Sequence, residues 1–280
     1  MQKNVSKFIL AFGILVLILV ILVPYFENHF SRLRAEKERE EEQQKLVREQ
    51  LAKEKREKEA KEKIYLLGKF EPAQREGFVA VPSEYNIAGY KMYLRKEALE
   101  AFLDMSALAE HDDIHLKIAS ATRNFDYQKK IWNDKWTGAK IVEGKDLSKS
   151  IPDGLERFKK ILEYSAAPGT SRHHFGTDID INAATPEYFE TEEGAKVYEW
   201  LTENAPLFGF CQTYNAKGPE RLTGYNEEKW HWSYLPLAKN FTQEYKDIIT
   251  EDDIKGFDGD EYVSADLVSN YIFGINPECL

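Results

Sequence analysis

Cysteine is almost absent from this chain, with two residues among 280, Cys211 and Cys279. So few exclude a disulfide-framework protein and a multi-cysteine zinc ribbon. The pair fits one bridge tying down the C-terminal end, and equally two buried thiols. Histidine is scarce as well, at six residues. Glycine and proline are missing altogether between Glu27 and Lys63. Basic charge is in deficit over most of the chain. Residues 1–63 hold 14 Lys and Arg against 11 Asp and Glu, and the other 217 hold 24 against 37. A body at net −13 lacks the positive surface that nucleic acid or anionic lipid requires. No internal repeat is present.

What is there falls into three parts. An unbroken apolar stretch runs from Phe8 to Val23, with Gly13 inside it and Pro24-Tyr25-Phe26 extending it. About 20 apolar residues span a bilayer as a helix, so residues 1–26 read as an uncleaved membrane anchor. Lys3 and Lys7 also suit the basic start of a cleaved signal, but no small-x-small site follows the run and no cysteine is there to take a lipid. Orientation stays open, because Arg32, Arg34, Lys37 and Arg39 flank the other side. Residues 27–63 are nearly all Glu, Lys, Arg and Gln with many i,i+4 pairs, which predicts a solvated helical stalk. At 1.5 Å per residue it reaches on the order of 50 Å. A coiled coil competes with this reading, but Leu33, Leu46, Val47 and Leu51 are sparse for its seam. Residues 64–280 form one domain, long enough to bury a substantial core.

Within that domain, apolar residues at helical spacing predict helices over Arg95–Glu110, Phe125–Trp136, Leu155–Tyr164 and Glu193–Glu203. Phe125, Gln128 and Trp132 share one face of the second. His115–Ala119, Asp178–Ile181 and Trp230–Trp232 alternate with period two and read as strands. In the middle one both carboxylates take one face and both isoleucines the other. Short separated strands among helices predict an α+β fold, a small central antiparallel sheet flanked by helices.

Two histidine contexts carry chemistry. In Ser171-Arg172-His173-His174-Phe175-Gly176-Thr177-Asp178-Ile179-Asp180, a bend at Gly176 can fold His173 back beside Asp180. In Glu228-Lys229-Trp230-His231-Trp232, the tryptophans can pack inward while His231 faces the opposite side. Two imidazoles and a carboxylate form a three-ligand zinc set with a fourth position open, and a nearby unligated carboxylate is what metal-assisted hydrolysis needs. Taken singly, each pattern is common. Together they are specific.

Ser-x-His-x2-Gly-x3-Asp followed by Glu-x-Trp-His resembles the signature of the zinc D-alanyl-D-alanine carboxypeptidases, including the vancomycin-resistance-type D,D-peptidases. Ser120-Ala121-Thr122-Arg123 with Gln128 is similar to that family's Arg-x4-Gln segment. The resemblance covers roughly Ser120 to Tyr234 and implies the α+β fold shared with hedgehog domains and lysostaphin-type peptidases. It implies one zinc per domain on His173, Asp180 and His231, with Glu228 as general base and acid. Arg123 would grip a substrate carboxylate or developing oxyanion, while Ser171 and Gln128 would help position the peptide. Glu227 has the wrong offset from His231, and His174 points elsewhere. Asp178 departs from the family, which commonly has alanine there. On its strand it is either a support behind the ligands or a competing ligand.

The implied substrate is the peptidoglycan stem peptide, losing a C-terminal D-alanine. The implied place is the bacterial cell membrane, with a single-pass anchor and the catalytic domain extracytoplasmic. An endopeptidase of the same fold is the rival within the enzymes, and a non-catalytic zinc-binding envelope module is the rival outside them. Nothing in the sequence sets an oligomeric state.

Overall fold

The computed structural model describes residues 2–280, so Met1 of the expected anchor lies outside the described residues. The chain divides into two compact units, Met1–Lys58 and Glu59–Leu280. Residues 2–58 of the first lie within one helix, α1 (Gln2–Leu66), which carries Pro24 inside it. By length and composition α1 can cross a membrane, at mean hydropathy 1.9 over its most apolar window. The stalk side chains Leu33, Leu46, Val47 and Leu51 are exposed.

The second unit begins slightly before Ile64, the boundary expected from composition, because the last turns of α1 are built into it. Tyr65, Leu66 and Leu67 are buried, and the Lys63 ammonium donates to Asp253 at 2.8 Å. The helix stops in a Schellman turn, with Gly68 N–H on the Tyr65 carbonyl and Lys69 N–H on that of Ile64. Gly68 sits at φ +70, and a Cβ there would meet the His174 ring at 2.4 Å. Only glycine serves both needs.

Strands β1 (Phe78–Ala80) and β2 (Tyr93–Arg95) form an antiparallel pair. The central sheet comprises β3 (Ile118–Ser120), β4 (Asp178–Ile181), β5 (Phe210–Gln212) and β6 (His231–Tyr234), in the order β3-β4-β6-β5, antiparallel throughout. The expected α+β architecture is therefore present, with helices α2 (Lys96–His111), α3 (Phe125–Trp136), α4 (Gly154–Leu162), α5 (Glu192–Asn204) and α6 (Leu235–Ile248) around it. Helix α6 went unread in the sequence, as did the β1–β2 pair.

Alternation along β4 divides the molecule. Ile179 and Ile181 join Trp232, Phe102 and Leu201 in one hydrophobic core with α2 and α5. Asp178 and Asp180 face the other way. A second core gathers Trp132, Phe158, Phe175 and Tyr245 with residues from the C-terminal segment, Ile254, Phe257 and Ile272 among them. That segment thus packs on the domain, and its end is fastened by a disulfide between Cys211 on β5 and Cys279. Asn276 adds bonds to the β5 end, its N–H on the Thr213 carbonyl and its Nδ2 on that of Gln212.

The bridge closes a loop of sequence separation 68, for which removal costs roughly 2–5 kcal/mol. Reduction, or Cys279→Ser, is expected to lower the thermal midpoint by several degrees. Calorimetry with and without reductant checks this, and an unchanged midpoint would contradict it.

Candidate metal centre and cleft

The pairing of β4 with β6 sets Asp180 directly opposite His231. Asp178 lies one step along the same face, within diagonal reach of His231. The chain enters β4 from a 3-10 turn, Arg172–Phe175, which Gly176 ends in a left-handed conformation at φ +75. That reversal brings His173 over the sheet, its ring 4.8 Å from that of His231 and nearly perpendicular to it.

Each histidine has one ring nitrogen committed. His173 Nδ1 lies 2.8 Å from the Ala121 carbonyl, which can only accept, so Nδ1 carries the proton and Nε2 offers a lone pair. His231 Nε2 lies 3.1 Å from Asp178 Oδ1, leaving Nδ1 3.3 Å from Asp180 Oδ1. One donor atom each from His173, Asp180 and His231 fall within 4.8 Å of one another, all three residues buried. His173 Nε2 and Asp180 Oδ1 are buried without a hydrogen-bond partner. Orphaned buried acceptors cost about 1–3 kcal/mol each, and a cation among them removes that cost. The donor set fits zinc, which takes neutral imidazole and carboxylate ligands.

Charge around the centre is strongly perturbed. Burial lowers His173, aided by the Arg123 charge. For His231 burial acts downward too, but the Asp178 and Asp180 carboxylates beside it prevail and raise it to about 9. Burial opposes the charge on Asp180, yet the two imidazoles hold its carboxyl well below the usual carboxylate range. Glu228 stands at the mouth, Oε2 3.5 Å from His231 Nδ1. Its backbone is pinned by N–H donation to the Tyr214 carbonyl at 2.8 Å. Burial lifts its carboxyl to about 7, against the pull of His231. A carboxyl near neutrality can both take and return a proton.

A cavity of about 110 Å³ opens beside these groups, lined among others by Arg123, Gln128, Ser171, Tyr214, Tyr225 and Glu228. The family model for D-alanyl-D-alanine carboxypeptidases (VanY) matches residues 91–237, more than half of the chain and every residue of this centre. The chain belongs to that family.

Its relatives include the D-alanyl-D-alanine carboxypeptidase of Enterococcus faecalis (strain ATCC 700802 / V583), 31% identical over 134 residues, 48% of this chain and 45% of the relative. The putative carboxypeptidase YodJ of Bacillus subtilis (strain 168) is 29% identical over 147 residues, 52% of this chain and 47% of its own length. The chain thus spans about half the length of these curated carboxypeptidases. Among solved structures, the LdcB LD-carboxypeptidase is 24% identical, covering 70% of this chain and 79% of its own, at a TM-score of 0.45.

The carboxypeptidase family motifs converge on this cleft, each residue with a distinct setting. Arg123 makes no side-chain ion pair among the described residues, and its Nε is buried without a partner. Its backbone is clamped, N–H on the His173 carbonyl and carbonyl on His174 Nδ1. His174, the histidine set aside from the ligands, is fully buried and takes the Gly169 N–H on Nε2. Gln128 spends its Nε2 on the Ala166 carbonyl at 2.7 Å, and its Oε1 is an unpartnered acceptor. Ser171 precedes the 3-10 turn but makes no capping bond with its side chain. Glu227 accepts from Tyr198 instead. Trp232 is buried in the core, whereas Trp230 only partly joins it and also lines the cleft. His111 and His115 are exposed.

Reasoning from sequence missed the aromatic wall and its backing. Tyr214 packs at a tilt against His231 and edge-on against Tyr225, and Tyr225 packs edge-on against Tyr271 of the C-terminal segment. It also missed Lys135, 6% exposed, whose Nζ bonds Ser165 Oγ and the Tyr164 carbonyl in the loop bordering the cleft. The neighbouring Lys side chains of α3 gave no signal that this one turns inward.

Burial pushes Lys135 down from 10.5 to about 8, with the Lys140 and Arg123 charges adding to it. The folded state therefore releases this proton more readily than the unfolded chain. Its penalty on stability is full below about pH 8 and is relieved as pH rises toward 10.5. Relative to Lys135→Met, the wild type is expected to gain up to roughly 3 kcal/mol across that window. Denaturant unfolding of both proteins at several pH values checks this, and a flat difference would contradict it.

Proposed function

We propose that the chain is a zinc-dependent D,D-carboxypeptidase that removes the terminal D-alanine from peptidoglycan stem peptides. The observation that carries this reading is the union of two orphaned buried acceptors, His173 Nε2 and Asp180 Oδ1, with an unpaired Arg123 guanidinium in one cleft. His173 through Nε2, Asp180 through Oδ1 and His231 through Nδ1 would hold one zinc ion. Bound there, zinc supplies Lewis-acid polarisation of the scissile carbonyl.

Glu228 takes the proton from the attacking water and returns it to the leaving amine, a shuttle suited to a carboxyl at about 7. Arg123 receives the free carboxylate of the substrate through its forked donors. Gln128 Oε1 accepts from a substrate amide, and the Ser171 hydroxyl lies along the same path. A cavity of about 110 Å³ suits a side chain as small as a methyl group. An unpaired guanidinium in the cleft favours a substrate with a free terminus over an endopeptidase cut. A structural module has no use for either Arg123 or Glu228.

The same reading makes α1 a single-pass anchor with the second unit outside the cytoplasm, and the Cys211–Cys279 disulfide supports an oxidising surrounding. Removing residues 2–26 is expected to move the protein from the membrane fraction to the soluble one. Retention in the membrane would count against the anchor.

For the activity, the full chain in detergent is stripped of metal, given zinc and incubated with a pentapeptide stem ending in D-Ala-D-Ala. Mass spectrometry is expected to show loss of one alanine, and none from a C-terminally amidated stem. Glu228→Gln is expected to lose at least about 100-fold in kcat. Arg123→Ala is expected to lose roughly 10- to 100-fold in kcat/KM. Cutting of the amidated stem would make it an endopeptidase; trimming only a tetrapeptide would change the terminal residue; no cleavage with zinc bound would leave a binding module.

A further inference from the structure

Beneath the centre lies an ion pair that the proposed chemistry does not use. Arg172 is 2% exposed and Asp178 is fully buried. The guanidinium is spread over three acceptors, Nε on Asp178 Oδ1 at 3.0 Å, Nη1 on Thr242 Oγ1 at 2.8 Å and Nη2 on Ser233 Oγ at 2.9 Å. These reach β4, α6 and β6. Asp178 Oδ2 accepts from Thr177 Oγ1 at 2.7 Å, so one contact of the carboxylate remains, Oδ1 to His231 Nε2 at 3.1 Å.

A buried charge pair of this kind contributes little to stability by itself, because desolvation offsets the attraction. Its arrangement instead does something specific. Asp178 is held as an acceptor with no proton to give, since Arg172 and Thr177 already donate to it. His231 must then donate from Nε2, which leaves Nδ1 as the nitrogen that can give a lone pair to an ion, on the side of Asp180 and His173. Asp178 stands outside the group of three convergent donors, on the far edge of the His231 ring. The competing-ligand reading of Asp178 therefore fails on geometry.

We propose that Asp178, locked by Arg172, is a positioning residue for the metal centre. It fixes the tautomer and plane of His231, so that Nδ1 alone is presented to the ion, and its charge makes that nitrogen a better donor. This rests on the zinc reading above. Arg172 acts one step further out, holding the carboxylate in place from three elements at once. The pair is private to His231: His173 has its own acceptor in the Ala121 carbonyl, so losing Asp178 disturbs one ligand of the three.

The test uses the full chain in detergent with two variants. Asp178→Asn keeps the shape but can turn an amide N–H toward the ring. The double variant Arg172→Met with Asp178→Ala removes both charges together, so neither is left unpaired if the single variant fails to fold. Zinc affinity is read by competition with a chelating dye. The state of His231 is read from the ring-nitrogen spectrum of zinc-loaded protein labelled with ¹⁵N-histidine. Wild type is expected to bind one zinc with His231 retaining its Nε2 proton. The folded variants are expected to bind about 10- to 100-fold more weakly, with the His231 ring signals shifted and those of His173 kept. Wild-type binding with variant affinities within threefold and unmoved His231 signals would overturn the inference and leave the zinc reading standing. Absence of zinc binding by the wild type would overturn both.

Discussion

The two histidines of the centre each spend one ring nitrogen on an acceptor that the fold holds still, His173 on the Ala121 carbonyl and His231 on the Asp178 carboxylate. Those two hydrogen bonds decide which nitrogens remain to act, and so decide where the centre is. Ala121 follows β3 and Asp178 opens β4, so both acceptors belong to the sheet that also supports the ligands. The remaining nitrogens face Asp180, in a region dry enough that leaving His173 Nε2 and Asp180 Oδ1 unanswered is costly. The site is thus poised by what surrounds it.

Elements distant in sequence complete the cleft. His174, one residue beyond a donor, bonds the Arg123 carbonyl and the Gly169 amide and packs against Gly68 at the end of α1. The C-terminal segment stands behind Tyr225, and the disulfide holds it to the edge strand of the sheet. Lys135 reaches from α3 to the loop around Ser165. These contacts, most of them between residues distant in sequence, support a wall rather than touch the centre.

How much could be read beforehand follows from that division. The alternation of Asp178–Ile181 is local, so its two faces were legible, and the turn at Gly176 was legible from the need to bring His173 to Asp180. Long amphipathic segments such as Phe125–Trp136 were legible for the same reason. The strand at Phe210–Gln212 was not, since three residues give no period to count. Arg172 looked like any arginine beside a histidine until Ser233 and Thr242 arrived from later in the chain. Tyr214 and Tyr225 lie in a stretch whose register depends on the tail. The bridge between Cys211 and Cys279 was one of two open readings because distance in space was unknown.

The pattern Asp-Ile-Asp-Ile in β4 has one more consequence. Ile179 and Ile181 are wholly buried against Trp232, while Asp178 and Asp180 occupy the opposite face of the same four residues. A pairing error of one residue exchanges those faces along the whole strand. It would drive two carboxylates into hydrocarbon and put two isoleucines where the histidines converge. The oily side of the strand therefore proofreads the polar side. A molecule that has settled its core has already aligned its donors, and a misaligned centre has no stable body to reside in.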